Sequence, residues 1–132
     1  MAYSVQIKKS SRELSKAERV MMKDTSLATK IDDITKDVKY FDIEVESYVI
    51  LAVHNDKSST PDYEVIHIVD TEGQKFTTGS ASFINTFLNI ADEMMDENAD
   101  NGTYDETFTI RAFRKPSKNF AGKDFLTCSL VA

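Results

Sequence analysis

The pattern of apolar and polar positions changes period several times along the chain. Phe41, Ile43 and Val45 alternate with Asp42, Glu44 and Glu46, the period of a half-buried strand, and the run continues without polar interruption through Tyr48–Val53. A strand this long bends or carries a bulge, because a flat one would not stay twisted onto a single core. Residues 54–62 are a loop by composition. Tyr63–Val69 predicts a second strand ended by the turn Asp70-Thr-Glu-Gly73, and Lys75–Thr78 a short third strand stopping at Gly79. Phe83, Phe87, Ile90, Ala91 and Met94 then fall on one helical stripe reaching about Asp96, with Ser80 or Ser82 as its cap. Thr107–Phe113 and Phe125–Val131 read as a fourth and fifth strand, separated by the basic loop 114–123. Ahead of all these, Ser15-Lys-Ala-Glu18 fits a capping box, and Ala17, Val20 and Met21 recur at helical spacing. That predicts a short helix over about 15–23 whose apolar stripe needs cover. The stretch 25–36 has room for another helical turn around Leu27, Ile31 and Ile34.

The resulting order is helix, β, β, β, helix, β, β. Three strands, one helix and two more strands is the order of the OB-fold, a five-stranded Greek-key barrel that binds oligonucleotides or oligosaccharides through its strand 2–3 face and adjoining loops. The expected fold is therefore mainly β with helices: a five-stranded OB-fold barrel (β-β-β-α-β-β) over residues 37–132, preceded by a basic helical extension over 1–36. An open α+β sheet with the same string of elements is the alternative.

Charge sharpens this picture. The chain of 132 residues carries a net charge of −6, but unevenly: residues 1–30 sum to +4, 31–106 to −14 and 107–132 to +4. A basic surface forms if the two ends meet or line one groove. Composition removes other classes. The single cysteine, Cys128, allows neither an internal disulfide nor a cysteine-based zinc site. The longest apolar run falls far short of the roughly 20 residues of a membrane span, and the first residues lack the apolar stretch of a secretory signal, so a cytoplasmic location is expected.

The sequence holds no nucleophile elbow, phosphate loop or zinc-protease motif, and only two histidines, His54 and His67, so no enzymatic activity and no cofactor are expected. Asp42, Glu44 and Glu46 share one strand face and could in principle hold Mg²⁺, though acids on a wet strand face more commonly protect an edge. The fourth strand is more informative. Phe108, Ile110 and Ala112 alternate with Thr109, Arg111 and Phe113, so that a buried first set puts a guanidinium beside an aromatic ring on the outer face. The following loop adds Arg114, Lys115, Lys118, Phe120 and Lys123. Cations that track phosphates, interleaved with rings that stack on unpaired bases, suit single-stranded nucleic acid.

Gly73-Gln-Lys-Phe-Thr-Thr-Gly-Ser-Ala-Ser-Phe83, leading from third strand into helix, and the last strand Gly122-Lys-Asp-Phe-Leu-Thr-Cys-Ser-Leu130 give the chain a likeness over roughly residues 38–131. It resembles the OB-fold single-stranded DNA-binding proteins of phages and conjugative plasmids of Gram-positive bacteria. The resemblance implies sequence-tolerant coating of single-stranded DNA in phage or plasmid replication or transfer, inside the bacterial host cell, with other copies of the chain as neighbours along the strand. It implies Phe113, Phe120, Lys118 and Lys123 as contacts, with Tyr48, Tyr63 and Phe76 as further ones beside Arg111, Arg114 and Lys115. The chain departs from many cellular relatives in having no tryptophan and no acidic tail after the last strand. No membrane or small-molecule substrate is expected. The competing function is a non-catalytic adaptor that binds protein partners through the acidic surface.

Overall fold

The computed structural model describes residues 3–11, 13–57, 61–95, 107–117 and 123–131. In chain order the elements are β1 (Tyr3–Ser10), α1 (Lys16–Lys23), β2 (Thr29–Lys30), α2 (Ile31–Ile34), β3 (Tyr40–Asn55), β4 (Asp62–Asp70), β5 (Lys75–Thr78), α3 (Ala81–Met95), β6 (Phe108–Pro116) and β7 (Asp124–Val131). The protein is mainly β, and its strands form one curled, half-barrel sheet in the order β2-β5-β4-β3-β6-β7 with β1 also on β3.

Everything is organised around β3. One edge pairs with β4 from Val45 opposite Asp70 to His54 opposite Asp62. The other edge is shared by two strands laid end to end: β6 along Tyr40–Val45 and β1 along Val49–Asn55. The expected irregularity in β3 falls between Val45 and Ser47, where the register against β4 shifts. One extra residue, Glu46, reverses the alternation. Phe41, Ile43 and Val45 therefore share a face with Tyr48 and Ile50, and all five join the main core with Phe83, Ile84, Phe87 and Ala91 of α3. Val49, Leu51 and Val53 point the other way, into a second cluster capped by Met22 of α1 and flanked by Val5, Ile7 and Val65. The uninterrupted apolar run Tyr48–Val53 is thus explained: this half of β3 is covered on both faces.

The helix α3 begins after Ser80, whose hydroxyl accepts from the Phe83 N–H at 3.3 Å and donates to the Leu126 carbonyl at 2.9 Å. That second bond ties the end of β5 to β7 across the sheet's open seam, where no strand pairing is present among the described residues. At the turn after β4, the Asp70 carboxylate accepts from the N–H groups of Glu72 (2.9 Å) and Gln74 (2.7 Å), and Gly73 takes φ +83°, the left-handed conformation that a side chain would strain.

Two expectations for the N-terminal region need correction. Tyr3–Ser10 is a strand within the main sheet, and Ile31 of α2 is buried in the main core, so this segment is neither wholly helical nor set apart from the sheet. The helix α1 carries its capping box at Ser15 and Glu18, but the stripe Ala17, Val20 and Met21 is not what it buries. Val20 is 70% and Met21 57% exposed, whereas Met22 is buried. A two-turn helix offers no unique stripe, and its docking is set at its C-terminal end, where the Met22 carbonyl accepts a hydrogen bond from the His67 ring at 2.8 Å.

These placements fix the expected outcome of substitution. Phe87→Ala, at the centre of the ring cluster formed with Tyr48, Phe83 and Phe108, should lower stability by about 3–5 kcal/mol. Val20→Ser should change it by less than about 0.5 kcal/mol. Urea denaturation of the two variants measures both, and a large loss at Val20 would contradict the orientation of α1.

Candidate nucleic-acid interface

Because Glu46 reverses the alternation in β3, the face opposite the main core is divided. Its β1-β4 half lies under α1; its β6-β7 half carries Tyr40, Asp42 and Glu44 of β3, Arg111, Phe113 and Lys115 of β6, and Phe125 and Ser129 of β7. Register fixes the neighbours: Tyr40 opposite Phe113, Asp42 opposite Arg111, Arg111 opposite Ser129, and Lys115 opposite Phe125. Tyr40 is 51% and Phe125 36% exposed. The Arg111 guanidinium forms two hydrogen bonds to the Asp42 carboxylate, at 2.8 and 3.1 Å, while its carbon lies 3.9 Å from the Tyr40 ring centroid. The paired guanidinium holds the Asp42 carboxyl below the usual carboxylate range. Arg111 is therefore fixed as a flat plate over Tyr40 with its charge largely balanced. Beside exposed Glu44, the positive charge on this face comes from Lys115, whose ammonium sits 5.9 Å from the Phe113 ring centroid, and from exposed Lys123 just before β7, whose carbonyl accepts from the Ser117 N–H at 2.9 Å.

The structure brings Arg111, Phe113 and Lys115 together but scatters other residues named from the sequence. Arg114 points to the opposite face, where it donates to the Thr35 hydroxyl (3.2 Å), the Asp32 carbonyl (2.9 Å) and the Asp124 carboxylate (3.1 Å), fastening α2 and β7 to β6. Tyr48 is buried edge-on against Phe87 with ring centroids 4.9 Å apart, and burial pushes its hydroxyl up to about 12. Phe76 is likewise a core residue, packed against Phe41, and reaches the surface only where it lines a groove on that inner face. Tyr63 is exposed, but it sits opposite Val53 at the far end of β3 from Tyr40. Lys118 and Phe120 lie outside the described residues. Tyr40 and Phe125 were missed by sequence reasoning. The alternation Tyr40-Phe41-Asp42 already puts Tyr40 on the acidic side of its strand, but only strand pairing shows that this side meets Phe113.

Lys8 and Lys9 do not join this face either. Lys8 pairs with Glu64, and Lys9 with Asp92 at 2.5 Å, so the basic start of the chain answers its acidic middle. Of the three acids on the first long strand, Asp42 is engaged by Arg111. No cluster of three or more His, Cys, Asp or Glu suited to a metal ion occurs among the described residues, and no helix described is long and apolar enough to cross a membrane.

Fold and face together define a curled, mainly β sheet that presents a row of aromatic and cationic side chains on a half-face covered by none of the described residues. No protein-family model matches the chain, and neither the characterised proteins nor the solved structures give a match to it.

The two histidines titrate in opposite senses. His54 lies between the carboxylates of Asp62 and Asp56, both at 2.6 Å, which raise its pKa above 6.5. That stabilisation is full below the unfolded value of about 6.5 and lost as pH rises through the folded value. His67 is fully buried; its Nδ1 donates to the Met22 carbonyl, its Nε2 has no partner among the described residues, and burial lowers its pKa. Its contribution is full above about 6.5 and lost as pH falls towards the folded value. NMR titration should therefore place the His54 midpoint above 6.5 and the His67 midpoint below it. Replacing His67 with Gln should flatten the loss of urea stability as pH falls below about 6.5.

Proposed function

We propose that this protein is a sequence-tolerant single-stranded DNA-binding protein on an OB-type barrel, acting without catalysis in phage or plasmid DNA replication or transfer in the cytoplasm of a bacterial host. The observation that carries this reading is the half-face, covered by none of the described residues, on which Tyr40, Phe113 and Phe125 are interleaved with Arg111 and Lys115. Single strands expose unpaired bases that stack on rings of any suitable orientation, while phosphates are neutralised by lysine and arginine. The OB reading draws support from the order β-β-β-α-β-β from Tyr40 onward, from the meander β3-β4-β5, and from the return of β6 to the free edge of β3. Further copies bound along the same strand are the partners this role implies.

Titration with oligo-dT and with duplex DNA at two salt concentrations tests the reading. About four phosphate contacts give a slope near −3 in log affinity against log salt, since each contributes about −0.7 on single strands. Tyr40→Ala or Phe113→Ala should each weaken oligo-dT binding by about 1–3 kcal/mol, more than Lys115→Ala. Absence of binding to the single strand at low salt would overturn the reading. Normal binding by folded Tyr40→Ala and Phe113→Ala variants would move the interface elsewhere.

A further inference from the structure

A second concavity lies on the other side of β3. Pairing of β3 with β4 ends at Val45 opposite Asp70, with one more bond from the Thr71 N–H to the Glu44 carbonyl at 3.1 Å. Beyond it β4 turns into β5, so the first residues of β3 keep β6 on one edge and face a groove of about 590 Å³ on the other. Leu27, Phe41 and Phe76 form its apolar walls; Thr29, Gln74 and Lys75 supply its polar groups.

Three features set what the groove can hold. Its walls are preformed: Phe41 and Phe76 pack with ring centroids 5.4 Å apart, and the Gln74 backbone is pinned by the Asp70 carboxylate. Its volume lies within the range of about 300–1,000 Å³ usual for small-ligand sites. Leu27, at its mouth, is 79% exposed, so a flat apolar surface laid against it would remove that side chain from water. The walls suit the face of a heterocycle. The Gln74 amide, able to donate and accept, suits the edge of a base, and Lys75, which lines both the rim of this groove and the cleft under Met21 and Met22 of α1, suits a phosphate.

We propose that this groove is a binding site for a single unpaired nucleotide, its base against Leu27, Phe41 and Phe76 and its phosphate at Lys75. The proposal rests on the nucleic-acid reading for its biological ligand but not for its chemistry. Tyr40 and Phe41 are consecutive in β3 and point to opposite faces, so the stacking face and the groove lie on either side of one strand, and a bound single strand that contributes a base to each passes round the edge of β3 that β4 leaves unpaired.

The test uses the full chain and four probes: dTMP, thymidine, inorganic phosphate and oligo-dT. ¹H–¹⁵N spectra should show saturable shifts with dTMP at the backbone amides of residues 27–29 and 73–76, with thymidine binding more weakly and phosphate alone leaving Leu27 unmoved. Leu27→Glu and Leu27→Ser should weaken dTMP binding by about fivefold or more, the equivalent of about 1 kcal/mol, with unchanged unfolding midpoints. No shifts at dTMP concentrations of about 10 mM, a range that would detect even millimolar affinity, or shifts indifferent to both Leu27 variants, would overturn the site. The two readings fail separately. Binding of dTMP in the groove without oligo-dT binding leaves the nucleotide site standing and removes strand coating. Oligo-dT binding that depends on Tyr40 and Phe113, with a groove silent to dTMP, does the reverse.

Discussion

The single extra residue Glu46 in β3 sets which residues of the long strand meet each face of the sheet. A strand of 16 residues with strict alternation would present one apolar face from end to end. The register shift between Val45 and Ser47 lets odd-numbered residues before it and even-numbered residues after it share the main core. It also frees Val49, Leu51 and Val53 to build a second cluster on the opposite face, which requires its own cover. The cover is α1, held by Met22 and by the His67 ring. A buried imidazole with one nitrogen unpartnered is a costly clamp, and it explains why the attachment of α1 should weaken on acidification.

The same division produces the candidate interface. Only the half of the outer face beside β1 and β4 is apolar enough to demand a helix. The half beside β6 and β7 carries Asp42, Arg111 and Ser129 between its rings, and such a surface is stable in water. Arg111 and Arg114 show how three residues of separation in one strand decide opposite roles. Arg111 faces outward, paired with Asp42 and stacked on Tyr40. Arg114 faces inward and binds the Asp32 carbonyl and the Thr35 hydroxyl, joining α2 to β6. The inward guanidinium fastens α2 to β6; the aromatic and cationic face is built on strands, whereas the groove draws Leu27 and Gln74 from turns beside them.

Much of the architecture was legible in the chain itself. The alternation in residues 41–46, the bend demanded by so long a strand, the stripe Phe83-Phe87-Ala91 and the capping box at Ser15 each rest on local periodicity or local hydrogen bonding, which tertiary context did not need to supply. The basic-aromatic alternation of Arg111 and Phe113 was likewise readable, because strand geometry alone puts them on one face. Tertiary structure decided what depends on pairing between distant segments. It made Tyr3–Ser10 a strand by giving it the free edge of β3, chose Met22 over Val20 as the buried residue of α1, and withdrew Tyr48 and Phe76 into the core. It also brought Tyr40 across from Phe113 and directed Lys8 and Lys9 to Glu64 and Asp92. Periodicity states which residues share a face of one element; which faces meet, and which are left to solvent, is a property of the register between elements, and no local pattern encodes it.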